Sequence, residues 1–427
     1  ETILSCEGTT QGDPLAMPMY ALGTVPLIRE ASIAEALQSW YADDSAAAST
    51  IKRLRKWWSI LVDRGPLYGY FTNATKSVLL VKPQHEAEAR KLFSDTEVQI
   101  RTDGFRHLGA VLGTEEFCKT YVSTKVQKWS HEISVLSQYA LSHPQAAYTA
   151  FCNGVKHEWS FVARTIPATG PLFEPIEDAV RLQLIPALTG RCPPGDQTRA
   201  VLSLPCRLGG LGLINPTHLE DQFRQSSIIT QPLVDKILRQ ESNNGGVRVA
   251  MQLLKSEVRK ESTQLANEQM AALLQQLDPD IQYAVNLASE KGASSWLTSK
   301  PLAVFGFKLH KGAFRDSLCL RYGWTPDHLP TTCACGKSFT TTHALSCSLG
   351  GYPSLRHNEI RDITAHLLRE VAHDVAVEPH LQPLSGEHFP LRSTITDDNA
   401  RLDIAVSGLY GGRFERTFLD VRVFNPF

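Results

Sequence analysis

Gly8-Thr9-Thr10-Gln11-Gly12-Asp13-Pro14-Leu15, followed by Tyr41-Ala42-Asp43-Asp44, is the part of the chain from which the rest is read. Two adjacent carboxylates between small residues and an aromatic form a compact site for a divalent cation. A glycine-bearing turn that leads into an apolar run lets backbone approach a nucleotide closely, because glycine has no side chain to block it. Asp-Asp by itself also occurs as solvated surface, so the order and separation of the two motifs carry the reading.

At 427 residues the chain is long enough for two or three cores. Its 42% apolar and 20% charged content is that of an ordinary globular protein. No run is long and apolar enough to span a bilayer, and the start Glu1-Thr2-Ile3 has no signal-peptide pattern. A first residue other than Met points to a piece of a longer protein. The nine cysteines, an odd and mostly scattered set, point to a reduced, intracellular setting rather than a disulfide scaffold. With a formal net charge of −1, any contact with nucleic-acid phosphate has to come from local patches.

Pro14, Pro18 and Pro26 are expected to break any long helix in residues 15–40, with a helix starting near Ala31 leading to the Asp43-Asp44 turn. Ser45 is expected to cap a helix on which Ile51, Leu54, Trp58 and Leu61 fall at helical spacing and which Gly65 ends. Lys52, Arg53, Arg55 and Lys56 share its other face, either as a solvated surface or as a phosphate-facing one. Val78-Leu79-Leu80-Val81 reads as a strand preceded by Lys76, and Phe105–Gly113 as a hairpin. From about 120 to 290 the pattern is helical, with candidate helices at 145–163, 173–189, 218–240 and 247–290. Leu204–Leu213 is by composition a glycine-rich loop, and Glu241–Gly246 a linker.

The Gln-Gly-x-Pro turn and Tyr-Ala-Asp-Asp, in this order, resemble the nucleotide-positioning and metal-binding motifs of reverse transcriptases. The resemblance implies that Gln11, Gly12, Pro14 and Tyr41 position a nucleotide, that Asp43 and Asp44 bind Mg²⁺ or Mn²⁺, and that Lys76 lies near the incoming triphosphate. A lysine that keeps a strand edge soluble is the alternative for Lys76. Phe105–Gly113 is similar to the family's primer-gripping hairpin, and Leu204–Leu213 to a segment downstream of the polymerase core in non-LTR retrotransposons.

Cys333, Cys335, His343 and Cys347 lie within fifteen residues as Cys-x-Cys-x7-His-x3-Cys. Three thiols and an imidazole can supply the tetrahedral set that zinc requires. Gly336 allows a tight turn between them. The arrangement resembles the knuckle between thumb and nuclease in site-specific non-LTR retrotransposons.

Beyond it, Arg356-His357-Asn358-Glu359 opens an amphipathic helix bearing Ile360, Ile363, Leu367, Leu368 and Val371. Strands are expected at Val375–Glu378, Arg401–Val406 and Phe418–Val423, with Asp403 and Asp420 in the middle of the last two. A carboxylate inside an apolar strand is costly unless it is paired or bound to metal. Either the two acids share a divalent ion, or they alternate outward on half-exposed strands. Helix and strands together resemble a restriction-like nuclease core, in which Asp403 and Asp420 hold Mg²⁺ and Arg422 stands where that family has lysine. Leu402 likewise replaces the usual proline. Glu378 and Glu359 are further ligand candidates. Arg356, His357 and Asn358 are candidate nucleic-acid contacts, the last two equally a capping pair.

The whole resembles the C-terminal part of a non-LTR retrotransposon reverse transcriptase, cut at both ends. The fold class it implies is α+β and multidomain: a partial reverse-transcriptase palm over 1–120, a helical thumb over 121–245, a helical linker over 246–330, a zinc knuckle over 331–350 and a restriction-like nuclease core over 351–427. The implied function is RNA-directed DNA synthesis primed by a nick in target DNA, with element RNA, target DNA and dNTPs as partners, in the nucleus. With no aspartate before Gly8 to complete the metal triad, the chain as given is expected to be inactive as a polymerase on its own. A domesticated, non-enzymatic nucleic-acid binder is the competing reading.

Overall fold

The computed structural model describes residues 13–219, 221–238, 245–349, 352–380 and 401–423. It is α+β, mostly helical with small sheets, and its chain divides at Arg315 into two compact units, each described on its own.

The first unit opens with helix α1 (Ala16–Ala31), which runs through Pro18 and Pro26 where the sequence predicts breaks. Pro18 lies in the first turn, whose N–H groups have no intrahelical partner anyway, so only Pro26 removes an interior bond. Burial of Leu27 and Ala31 at 0% exposure offsets that loss, because α1 packs there against Trp57 and Leu61 of α2 (Ile51–Arg64).

Between the helices lies an antiparallel hairpin, β1 (Leu37–Tyr41) and β2 (Asp44–Ala48). A strand therefore replaces the helix expected after Ala31. Ser45 lies in β2, and Thr50 is the residue that precedes α2. Ser45 pairs with Trp40 across the hairpin and Ala47 packs against the α1–α2 core, and this tertiary context outweighs the capping preference of Ser45. Trp57 and Trp58, adjacent on α2, face two different clusters: Trp57 the α1 side, Trp58 a second core with Leu79, Ala89 and Phe93. Gly65 ends α2 with a right-handed backbone; its role is close approach, since a Cβ would collide with the Tyr70 carbonyl.

Short strands β3 (Val78–Leu80) and β4 (Gln99–Arg101) pair in parallel, flanking helix α3 (Glu86–Leu92). β5 (Gly104–His107) and β6 (Ala110–Gly113) form the expected second hairpin. Its two-residue turn, Leu108-Gly109, has positive φ at both positions (47° and 83°), as a tight turn matching the strand twist requires.

Helix α4 (Glu115–Ala140) then enters a helical block whose core includes Ile133, Phe151, Phe173, Ile176, Leu184, Leu188 and Leu202. The segment expected as one helix over 145–163 breaks at Gly154, giving Pro144–Asn153 and Ser160–Thr165. The one expected over 247–290 stops at Leu274 and restarts at Pro279, where a proline at the first helical position costs no bond. Residues 241–244 of the expected linker lie outside the described residues, and Gly245 and Gly246 begin a helix.

Leu204–Leu213 is a buried fold element rather than an open loop: the N–H groups of Leu211 and Leu213 both bond the Leu202 carbonyl at 3.2 Å. A Cβ on Gly210 would collide with the Leu204 carbonyl. Arg199 locks the segment, donating to the Leu213 carbonyl at 2.7 Å and to both carboxylate oxygens of Glu177 at 2.6 Å. Breaking such a buried pair by removing one partner costs about 3–5 kcal/mol.

The second unit holds a small cysteine-rich element, then a helix, Tyr352–Val371, that packs on a three-stranded antiparallel sheet. The sheet order is β7 (His373–Val377), β8 (Ile404–Ser407), β9 (Arg416–Leu419), and every residue of the central strand is buried.

Candidate metal and carboxylate sites

Thr332 and Ser338 bridge across a tight turn in which Cys333 N donates to Lys337 O at 2.9 Å and Gly336 N to Cys333 O at 2.8 Å. Gly336 has φ +82°, a conformation that glycine adopts without strain. Thr340 then caps the helix Thr341–Ser346 by accepting from His343 N. His343 and Cys347, four residues apart, emerge on the same side of that turn. The two halves bring the ligand atoms of Cys333, Cys335, His343 and Cys347 within 4.8 Å of one another. Cys333 Sγ and Cys347 Sγ are 3.7 Å apart, too far for a disulfide and close to the edge of about 3.8 Å expected for two thiolates on tetrahedral zinc. Cys335 Sγ and His343 Nε2 are 3.1 Å apart. Cys333 and Cys347 are buried, so the cluster is closed on the protein side. All four residues suit one tetrahedral metal ion such as zinc.

Asp43 and Asp44 sit at the tip of the β1–β2 hairpin, where Tyr41 pairs with Asp44 across the turn Ala42-Asp43. Ala42 is held at φ +53°, unfavourable for a residue with a Cβ. The turn is braced by Tyr70, which the sequence does not single out. Its hydroxyl donates to the Asp43 carbonyl at 3.2 Å and shares a 2.9 Å hydrogen bond with Ser45 Oγ. Burial pushes the Tyr70 hydroxyl pKa up; the Ser45 bond partly offsets this, and Asp43 and Asp44 add to the rise. Tyr20 on α1 is raised chiefly by burial, with Tyr70 and Asp43 contributing. Both phenols therefore stay protonated beside the acids. Tyr41 is exposed, and Pro14 lies in the exposed turn before α1, while Gln11 and Gly12 fall outside the described residues.

Of the basic face of α2, Arg53 pairs with Glu35 at 2.7 Å, Arg55 with Asp95 at 2.5 Å, and Lys56 donates to the Ile33 carbonyl at 3.1 Å. Lys52 stays exposed, with no ion pair among the described residues. Ion pairing thus absorbs the charge of two of the four cations that the sequence offers to phosphate, Arg53 and Arg55. Lys76 ends a short turn ahead of β3 and is exposed.

In the second unit Asp403 and Asp420 flank their strands rather than lying inside them: Asp403 precedes β8 and Asp420 follows β9. The antiparallel register pairs Ile404 with Leu419, so both acids fall at the same end of the sheet. At the strand ends the carboxylates escape the apolar interior that Ile404 and Val406 fill, which is why the strands shift relative to the expected ones. Asp403 Oδ1 lies 3.2 Å from His357 Nε2, and its Oδ2 accepts from Val421 N. Arg422 donates to Asp420 Oδ2 at 2.8 Å and holds that carboxyl below its ordinary pKa, with smaller help from Asp403 and His357.

Glu378 is committed elsewhere, paired with the buried Arg361 and with Arg401 at 3.6 Å. Glu359 is exposed on the helix, and Asn358 contacts His357 at 3.4 Å. Arg356, on the turn of helix that carries His357, has its Nε buried without a hydrogen-bond partner among the described residues. Arg361 is a residue that spacing does not reveal, since an arginine on an amphipathic helix reads as surface.

Among the described residues, no three His, Cys or acidic ligand atoms gather at either carboxylate pair as they do at the cysteines. No helix among them is long and apolar enough to cross a membrane. Comparison with protein-family models, curated proteins and solved structures finds no match.

Proposed function

We propose that the chain belongs to the machinery of non-LTR retrotransposition: a part of an RNA-directed DNA polymerase joined to a DNA-nicking endonuclease, acting on target DNA and element RNA in the nucleus. The observation that carries the proposal is the β8–β9 register, which puts Asp403 and Asp420 at the same end of the sheet, with His357 Nε2 3.2 Å from Asp403. Mg²⁺ or Mn²⁺ held there would polarise the scissile phosphate and lower the pKa of a bound water. Arg422 keeps Asp420 ionised and can turn to the phosphate; as an arginine it cannot serve as a general base. The nick would leave a 3′ hydroxyl for extension, with Asp43 and Asp44 as two of the acids that hold metal for dNTP transfer. The knuckle would hold zinc and present its surface to nucleic acid.

A plasmid-nicking assay with Mg²⁺ or Mn²⁺ tests the reading. The wild-type chain is expected to relax supercoiled DNA, and Asp403→Ala to slow it at least about 100-fold, or about 2.7 kcal/mol of barrier. Absence of nicking by the wild type with both metals would overturn it. A non-enzymatic nucleic-acid binder is the second reading. It is favoured by the internal partners of the acids, His357 on Asp403 and Arg422 on Asp420, which engage a carboxylate oxygen of each without a metal.

A further inference from the structure

We infer that residues 305–311, where they fold over the start of helix Pro144–Asn153, form a binding site for the phosphate backbone of a single nucleic-acid strand. A cavity of about 400 Å³ opens there, lined by Ser142, His143, Gln145, Lys308, His310 and Lys311 among others, with no aspartate or glutamate in its wall. In a chain of net charge −1, two lysines, Lys308 and Lys311, on one cavity without an acid are a local excess, and a phosphodiester is the complementary charge. Lys311 also opens the helix Lys311–Arg321, whose N-terminal amides add positive potential at the same place.

The site is built rather than incidental. Gln145, 7% exposed, uses both ends of its amide to hold the wall: Nε2 donates to the Phe307 carbonyl at 2.9 Å, and Oε1 accepts from Leu309 N at 2.7 Å. Gly306, at φ +70°, turns the chain, and the N–H groups of Phe305 and Phe307 both bond the Leu302 carbonyl at 3.2 Å.

That turn leaves Phe305 and Phe307 exposed at 64% and 51%, their rings 5.9 Å apart beside the basic cavity. On the neighbouring element Tyr139 stacks on His143 at 4.8 Å and 12°. Exposed aromatic faces next to cations are what an unpaired base and its phosphate need, whereas a duplex keeps its base faces stacked inside. The cations and the absence of acid select a polyanion over a protein partner of mixed charge.

The test measures binding of fluorescein-labelled oligouridylate and oligothymidylate to the full chain, by anisotropy over a range of salt. Lys308→Ala with Lys311→Ala should weaken binding at least about 10-fold and flatten the log K against log salt slope by about 1.4, or about 0.7 per lost contact. Phe305→Ala with Phe307→Ala should weaken it at least about 10-fold with the slope unchanged. Lys308→Gln with Lys311→Gln replaces the alanine pair if circular dichroism shows that pair misfolded. A 4-thiouridine oligonucleotide should photo-crosslink to the peptide containing 305–311. Unchanged affinity in well-folded variants, crosslinks confined to other peptides, or displacement of the oligonucleotide equally well by polyglutamate or by a duplex would each overturn the proposal. Nicking read on the same preparations separates the two proposals, since its absence bears on Asp403 and Asp420 and leaves strand binding unaffected.

Discussion

The cysteine cluster and the two carboxylate pairs are built in opposite ways. Cys333, Cys335, His343 and Cys347 come from one short segment, and two local turns bring all four together. Asp403 and Asp420 flank different strands and fall at one end of the sheet only because β8 and β9 pair in one register. Asp43 and Asp44 are adjacent in sequence, yet their geometry depends on Tyr70, an element away. The ligand atoms of the cluster face one another, whereas His357 and Val421 engage Asp403 and Arg422 engages Asp420. A closed soft-ligand cluster suits a structural metal; acids with exchangeable partners suit an ion that comes and goes with substrate.

The hardest test of that contrast is to remove the metal. The purified chain is expected to carry one zinc, and Cys347→Ser or a strong chelator should unfold the element around 331–347. The free energy at stake is of the order of 10 kcal/mol, as in small zinc-organised elements. Metal analysis with NMR of the same sample reads both effects. A chain without zinc whose knuckle signals stay dispersed would remove the distinction between closed and open sites. The same chelation should leave the hairpin at Asp43 and Asp44 intact.

The difference also explains what was legible in the sequence. The cysteine–histidine cluster could be read because a local constellation is written within fifteen residues. The second hairpin and the helical character of the middle could be read for the same reason, as Leu108-Gly109 and the apolar spacing are local signals. What failed depended on distant packing. Pro18 and Pro26 read as helix breakers, yet burial of α1 against Trp57 and Leu61 keeps the helix whole. Ser45 read as a cap, yet pairing with Trp40 places it in β2. Asp403 and Asp420 read as mid-strand, because apolar alternation does not say where the ladder stops. Tyr70 and Arg361 carried no signal, since a single tyrosine or arginine takes its role only from what the fold brings to it.

Tyr70 allows a finer test on the hairpin side. Tyr70→Phe removes the hydroxyl that holds the Asp43 carbonyl and Ser45 and leaves the ring against Trp40, 5.2 Å between centroids. Each of the two lost hydrogen bonds is worth about 0.5–1.5 kcal/mol, so the tip should open more readily by about 1–3 kcal/mol. Amide hydrogen exchange around residues 41–45 measures this directly. Unchanged protection would mean that strand pairing alone holds the strained turn at Ala42.

The smallest expected effect is a titration, and it sets the two kinds of site against each other on one axis. Because Arg422 holds Asp420 below its ordinary pKa, the folded state favours the ionised carboxyl. Its contribution is therefore fully present above the unfolded pKa of about 3.9 and is lost only as pH falls through the lower folded value. A metal on the cysteine cluster is lost in the same direction but earlier: protons compete with it for thiolate and imidazole, so acid should release zinc well before Asp420 is protonated. On lowering the pH of the native chain, zinc should leave first, at mildly acidic pH. The Asp420 carboxyl carbon signal should move later, below its ordinary range, and Arg422→Ala should bring that movement back up towards about 3.9. An Asp420 that titrates at the ordinary value in both chains would show that Arg422 is not held on it in solution. That arginine would then be free to meet a phosphate without first giving up a partner.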